Sequence, residues 1–353
     1  MVMMKKLLAA LFVCLSAASA WAGVKIEHWI APSGARVYFV ETHALPILDV
    51  EVNFTAGTAY DTADKAGVAG LTRGLLDAGA GGLDEEKIAG RLVDIGARLS
   101  GTTDHDRAGL NLRTLSSKAE KESALDLMRV LLAQPAFPEA VLAREKARLI
   151  SAIQEADTRP DSIAAKRFAR AMYPDHPYGL HSTVESVGRI TRDDLASFHR
   201  DHYSARRAVV ALIGDVTRAE AEKIAQSLTE ALPPGKPDGD LPAVRMPSKG
   251  TLKVAHPAAQ SHIHIGLPAI RRTDPDYYAL LVGNYTLGGG GFVSRLMKEV
   301  REKRGYAYSV HSYFAPRRFE GPFQIGLQTK RDQAGDALKV VDEVLAGFMK
   351  DGP

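Results

Sequence analysis

The chain has 353 residues, of which 45% are hydrophobic and 25% charged, with 45 basic against 42 acidic side chains. This is the composition of a globular protein with room for two ordinary domains, and it sets disorder aside as the default. A balance so near neutral offers no electrostatic footprint for nucleic acid or for an anionic membrane surface.

The first 22 residues differ in kind from the rest. Lys5 and Lys6 precede an apolar run from Leu7 to Ala20 that ends in Ala20-Trp21-Ala22 before Gly23, the pattern of a secretory signal peptide cut after Ala22. The run is too short and too Ala-rich at its end to favour a spanning helix, which needs about 20 apolar residues. Cleavage removes Cys14, the one cysteine, and leaves 43 basic residues against 42 acidic ones. A thiol-free mature chain suits an oxidising compartment such as a bacterial periplasm, and it excludes both disulfides and cysteine-ligated zinc. The expectation is an exported, periplasmic protein without a membrane segment after cleavage.

Leu48, Val50, Val52 and Phe54 alternate with Asp49, Glu51 and Asn53, which predicts a strand with one buried face. A hairpin partner is expected just before it, at Arg36 to Glu41. Val68, Leu71, Leu75 and Ala78 then follow helical spacing, with Gly79 as a stop. A second helix is expected over about 84–95, and a strand around Leu110 and Leu112. Helices over about 118–133 and, after Pro138, 139–157 come next, and a strand over 208–213 closes the region.

Residues 233–248, beginning Pro233-Pro234-Gly235-Lys236-Pro237, have little that could pack a core and read as a linker. Beyond it the pattern restarts. Ile263, Ile265 and Leu267 alternate with His262 and His264, a helix is expected from Asp276 to about Leu287, and two strands lie near 306–313 and 323–327 before a last helix over about 333–350. This is a diverged internal repeat. The expected organisation is a signal peptide over 1–22, a domain over 23–232, the linker, and a second domain over 249–353 that looks abbreviated. The fold class is α+β, two repeated domains that are each an antiparallel sheet packed with helices.

Two segments carry a resemblance. One is Gly67-Val68-Ala69-Gly70-Leu71-Thr72-Arg73-Gly74-Leu75-Leu76, after a strand ending Phe54-Thr55-Ala56-Gly57-Thr58 and after Asp61. The other is Gly288-Gly289-Gly290-Gly291-Phe292-Val293-Ser294-Arg295-Leu296, continuing through Arg301 and Gly305 to Tyr308. Together with the linker and the repeat they resemble the insulinase (pitrilysin-like) metallopeptidase family, which includes the mitochondrial processing peptidases. The resemblance implies two halves of a shell around a chamber.

In catalytic members the first segment carries His-x-x-Glu-His, whose two His bind zinc while the Glu activates water. Here Gly70, Arg73 and Gly74 hold those places. Glycine cannot ligate a metal, and a guanidinium cannot accept a proton from water. The family's third ligand, a Glu on the helix after Pro138, should fall near Ser151 or Ala152. Gln154 and Glu155 are close but out of register by three or four residues.

The second segment is similar to the family's signature in which an Arg and a Tyr seven residues apart reach the substrate, here Arg301 and Tyr308. Gly288, Gly289, Gly290 and Gly291 would form a mobile loop lining the chamber. No Gly-Lys-Ser/Thr follows, so this is no phosphate loop.

The resemblance therefore implies a non-catalytic, substrate-binding subunit with no metal of its own. It would pair as a heterodimer with a zinc-bearing catalytic homologue and bind peptide or unfolded polypeptide through Arg301, Tyr308 and an exposed sheet edge. Two rival readings stand beside it: an active zinc metallopeptidase with atypically placed ligands, and a scaffold or peptide-binding module without a proteolytic role.

Other residues admit two readings each. Arg73 is either a chamber-facing cation for substrate or a solvated or salt-bridged side chain. His262 and His264 share a strand face that could hold a metal if a third ligand joined them, and otherwise are ordinary strand residues. His199 and His202 flank a helix end as surface or capping groups, and His176 and His181 bracket a loop suited to partner contact or to nothing in particular.

Overall fold

A computed structural model of the chain describes residues 24–235 and 241–353. The expected signal peptide lies outside the described residues, as does the middle of the expected linker, residues 236–240.

The first unit is built on a six-stranded sheet. Its strands are β1 (Glu27–Ile30), β2 (Arg36–Glu41), β3 (Ile47–Phe54), β6 (Arg98–Thr103), β7 (Ala108–Leu115) and β8 (Ala208–Gly214), in the order β1-β2-β8-β3-β7-β6. The two-residue strands β4 (Gly79–Ala80) and β5 (Leu83–Asp84) form a separate ribbon. The alternation in β3 works as sequence reasoning requires. Leu48, Val50, Val52 and Phe54 are all buried, and Val50 and Val52 lie level with Leu112 and Leu110 of β7 and with Leu212 and Val210 of β8. Burying each such side chain stabilises the fold by about 1.5–3 kcal/mol.

The expected hairpin between β2 and β3 does not form. β8 lies between them, antiparallel to β3 and parallel to β2, the sheet's one parallel pairing. The physical reason is that a strand as apolar as Ala208-Val209-Val210-Ala211-Leu212 is most stable with a neighbour on both edges, and the interior of the sheet supplies them.

Helices α1 (Val68–Gly74), α2 (Glu85–Asp94), α3 (Lys118–Ala133), α4 (Glu139–Ala156), α5 (Pro160–Met172), α6 (Val184–Arg189), α7 (Arg192–His202) and α8 (Arg218–Thr229) belong to this unit. Thr183, Thr191 and Thr217 close capping boxes at α6, α7 and α8. The stripe Val68, Leu71, Leu75, Ala78 is buried throughout, although α1 ends at Gly74 and leaves the last two residues in the following turn.

The second unit repeats the first in shorter form. Its sheet holds β9 (Gln260–Ile270), β10 (Ala307–Phe314) and β11 (Gly321–Lys330) in the order β10-β11-β9. That is the arrangement of β6, β7 and β3: a first strand, then a hairpin whose second strand pairs back onto it. Helices α9 (Tyr277–Asn284) and α10 (Ala334–Asp351) accompany it, and Leu296, Val300, Val310, Ile325 and Val341 make a core of their own. No helix among the described residues is long and apolar enough to cross a membrane.

The corresponding hairpins of the two units meet. Arg318 and Phe319, at the tip between β10 and β11, donate backbone N–H bonds to Asp106 Oδ2 (2.9 Å) and to the Tyr178 hydroxyl (3.3 Å). Asp106 itself sits at the tip between β6 and β7, and it also accepts the Tyr178 hydroxyl proton. Tyr173 donates to the Glu320 carbonyl at 3.0 Å, and the Arg317 guanidinium lies 4.7 Å from the centre of the Tyr178 ring. Leu241 and Val244, which follow the undescribed linker residues, pack beside Tyr173 and Tyr178.

Candidate functional site

The first set of candidate residues sits on α1. Asp61 fixes the start of this helix: its carboxylate accepts the N–H groups of Gly67 (2.7 Å) and Ala69 (2.9 Å). Burial of Asp61 outweighs those two bonds and raises its pKa to about 6. Gly67 enters the helix with φ +112°, a conformation that L side chains rarely adopt.

Gly70 and Gly74 are exposed, and a methyl group built on either would meet nothing within 4 Å, so α1 presents an open surface there. Arg73 is half-buried and turns toward the sheet. Its Nε donates to the Gly109 carbonyl at 3.4 Å, and its guanidinium lies so close over Gly101 of β6 that a Cβ on that glycine would fall 1.9 Å from Nη2. Among the described residues no carboxylate comes within 4 Å of it, so the salt-bridged reading of Arg73 does not hold. Burial holds the nearby Tyr203 phenol well above its ordinary pKa, and the Arg73 charge works against that rise.

On α4, Ser151 and Ala152 are exposed, as are Gln154 and Glu155. Among the described residues no three His, Cys, Asp or Glu side chains converge as a metal site would require. The donor set that α1 and α4 offer, Gly70, Arg73, Gly74 and Ser151 or Ala152, does not fit a zinc ion.

The second set is assembled by the loop before β10. The end of α9 widens into a turn with i→i+5 hydrogen bonding over Tyr285–Gly289, and a similar turn spans Met297–Glu302. Gly288 lies where a side chain would overlap Ser312 of β10, its Cβ 2.4 Å from Oγ and 2.6 Å from N. Ser312 is further tied to α9 by reciprocal bonds with Asn284, at 2.6 and 2.9 Å. Arg301 and Tyr308 are brought together. Gly305, at φ +64°, closes the helix with N–H bonds from Gly305 to the Arg301 carbonyl and from Tyr306 to the Val300 carbonyl, and so turns the chain into β10.

The guanidinium of Arg301 then stands 4.7 Å from the centre of the Tyr308 ring and 4.8 Å from that of Phe292. Tyr308 is 84% exposed and Phe292 67% exposed, so the stack faces solvent. Stacking between two rings holds the guanidinium in one orientation while leaving its N–H edge open to a ligand. Phe292, the third member, was not singled out from the sequence, since its place four residues after the start of a glycine run carries no chemical signal.

The histidines resolve differently. His199 is buried and its Nε2 lies 2.8 Å from the Leu132 carbonyl, making it an internal cap for the last turn of α3 rather than a surface group. His202 is half-buried between Phe198 and Tyr60. His176 is buried and accepts the Tyr178 N–H through Nδ1, whereas His181 is half-buried and desolvation lowers its pKa. His264 stacks on Phe168 of α5 and accepts the Gln324 amide at 2.8 Å, and His262 finds no third ligand among the described residues.

With this geometry in view, comparison with known proteins is informative. The pattern of the insulinase family (peptidase family M16) matches residues 36–184, and that of the peptidase M16 inactive domain matches residues 189–353. An uncharacterized zinc protease of Mycobacterium leprae is 29% identical over 336 residues, covering 91% of this chain and 73% of its own length. One from Streptomyces coelicolor is 32% identical over 232 residues, 63% of this chain and 50% of its own length. Among solved structures, a peptidase M16 inactive domain from Pseudomonas fluorescens is 36% identical with a TM-score of 0.90, over 93% of this chain and 80% of that one. The periplasmic protease PqqL of Escherichia coli shares the fold, with a TM-score of 0.76 at 16% identity over 94% of this chain and 37% of its own.

Proposed function

Because the chain belongs to the insulinase (M16) peptidase family, we propose that it is the non-catalytic, substrate-binding subunit of an exported zinc metallopeptidase, and that it completes the chamber of a zinc-bearing homologue. One observation carries this reading: the places that hold metal in catalytic members fall at Gly70, Gly74 and Ser151 or Ala152, with Arg73 where the base belongs, while Arg301 and Tyr308 stack side by side on the surface. Neither set can run hydrolysis alone. The first cannot generate a hydroxide, and the second can only bind and polarise.

In the pair, the partner's zinc would activate water. Arg301 would hold a peptide carbonyl through its N–H edge, and the Tyr308 hydroxyl would donate to the oxyanion that forms. The partner would be a family member that retains His-x-x-Glu-His, and the compartment the periplasm, in keeping with the pattern of residues 1–22 and the periplasmic setting of one structural neighbour.

The test is a reconstituted pair assayed on an unfolded polypeptide. Replacing Tyr308 by Phe should lower kcat/KM by about 10²-fold, the scale of losing one oxyanion donor. Arg301→Ala should raise KM as well. A scaffold role predicts that neither substitution changes cleavage.

A further inference from the structure

We infer that the surface left by the lost metal site is an anion site that takes the C-terminal carboxylate of an extended peptide, with Arg73 as its ligand. The inference rests on the substrate-binding reading above and adds to it which part of the peptide this surface holds.

Three observations lead there. Arg73 is a half-buried cation with no carboxylate within 4 Å among the described residues, and its one hydrogen bond is a long one to a backbone carbonyl. A guanidinium in that state retains most of its five donors for a ligand and favours an anionic one. The side chain is also placed, not adrift: it lies flat across Gly101, where any larger residue would displace it. Gly101 belongs to β6, the terminal strand of the six-stranded sheet, so the charge sits beside the edge where a peptide could add as a further strand.

The third observation is the hollow next to it. Arg73 and Gly74 border a cavity of about 380 Å³ that is also lined by Ala78, Ile88, Leu92 and Val141. Its other charges are largely committed to one another: Arg144 binds Glu85 and Glu145, and Arg148 lies 3.6 Å from Glu145. Asp77 lines the hollow as well and makes no ion pair with Arg73. A peptide lying along β6 with its carboxylate on Arg73 could lodge a final aliphatic side chain against the apolar lining, while Asp77 disfavours an acidic one. A buried zinc site would have needed side chains at positions 70 and 74, and the two glycines leave that approach open.

The experiment uses the full mature chain and ten-residue peptides labelled at the N-terminus and ending in Leu, either as free acids or as C-terminal amides, read by fluorescence anisotropy. The expected result is at least tenfold weaker binding of the amide by the natural protein. Arg73→Gln should bring acid and amide within twofold of each other, Arg73→Lys should restore part of the preference, and Gly101→Ala, which keeps the arginine but displaces its guanidinium, should behave like the Gln variant. Circular dichroism melting confirms that each variant is folded. Equal binding of acid and amide by the natural protein overturns the inference and leaves the substrate-binding reading standing. Zinc-dependent cleavage of the peptides by this chain alone overturns both.

Discussion

Asp106 joins the two units of the fold at their hairpin tips, and replacing it by Ala should loosen that joint measurably. Its carboxylate accepts the Arg318 N–H at 2.9 Å and the hydroxyl proton of Tyr178, whose ring is buried. Hydrogen bonds to a charged acceptor contribute about 1.5–3 kcal/mol each, so losing two should cost about 3 to 6 kcal/mol. Asp106→Asn keeps one acceptor oxygen and should cost less than half of that. The Tyr178 proton is firmly held, since burial, and then the Asp106 carboxylate, push the phenol far above its ordinary range.

Two readouts separate a broken joint from general destabilisation. Equilibrium urea unfolding gives the total loss, and hydrogen exchange at the amides of Arg318 and Phe319 reports the joint itself. A double-mutant cycle with Tyr178→Phe should show coupling of at least about 1 kcal/mol, because both changes remove the same bond. A loss below 1 kcal/mol, with the Arg318 amide still protected, would refute the reasoning.

Acid should weaken the fold through histidines that are buried in their neutral form. Desolvation, with help from Arg317 and Arg207 respectively, lowers the pKa values of His105 and His202 to about 4. The unfolded chain therefore takes up protons first as pH falls below about 6.5, and each histidine should remove about 3 kcal/mol of stability by pH 4. Asp61 works in the opposite sense: with its pKa raised to about 6, the fold gains protons before the unfolded chain does, and stability lost above that pH returns as pH falls. Urea unfolding of His105→Asn between pH 7.5 and pH 4 should show a shallower acid limb than the natural protein, and an identical limb would contradict the assignment. Gly288→Ala should cost about 1–3 kcal/mol, because its Cβ would overlap the Ser312 backbone and the overpacking cannot be relieved by rotating a side chain; an unchanged melting temperature would show that the loop gives way freely.

Much of the architecture was legible in periodicity. The period-2 run in β3 and the helical stripes of α3 and α4 have strong signals because each buries one face. The repeat could be read from the strand and helix signals that restart at Ile263 after the linker, and the structure adds that β9, β10 and β11 pair as β3, β6 and β7 do. Pairing itself was not legible where it skips along the chain: nothing local tells Val37 and Phe39 that their strand neighbours a segment some 170 residues on and not the next strand. β6 went unread because Arg98-Leu99-Ser100-Gly101-Thr102-Thr103 is an edge strand with little to bury.

At the candidate site, the identities at positions 70, 73 and 74 could be read from the sequence, and so could the pairing of Arg301 with Tyr308 across a short turn. What the Arg73 guanidinium touches could not, because its nearest neighbour is a glycine on a distant strand. The burial of His176 and His199 could not be read for a related reason: it is decided by tertiary neighbours, and imidazole gives no periodic signal of its own.

The most direct test of the account is the metal content and activity of this chain by itself. Residues 23–353, purified without chelator and dialysed against micromolar zinc, should carry well under a tenth of a zinc per chain and release no fragments from an unfolded polypeptide until a relative bearing His-x-x-Glu-His is added. One firmly held zinc per chain, with turnover that a chelator abolishes and no partner present, would contradict it.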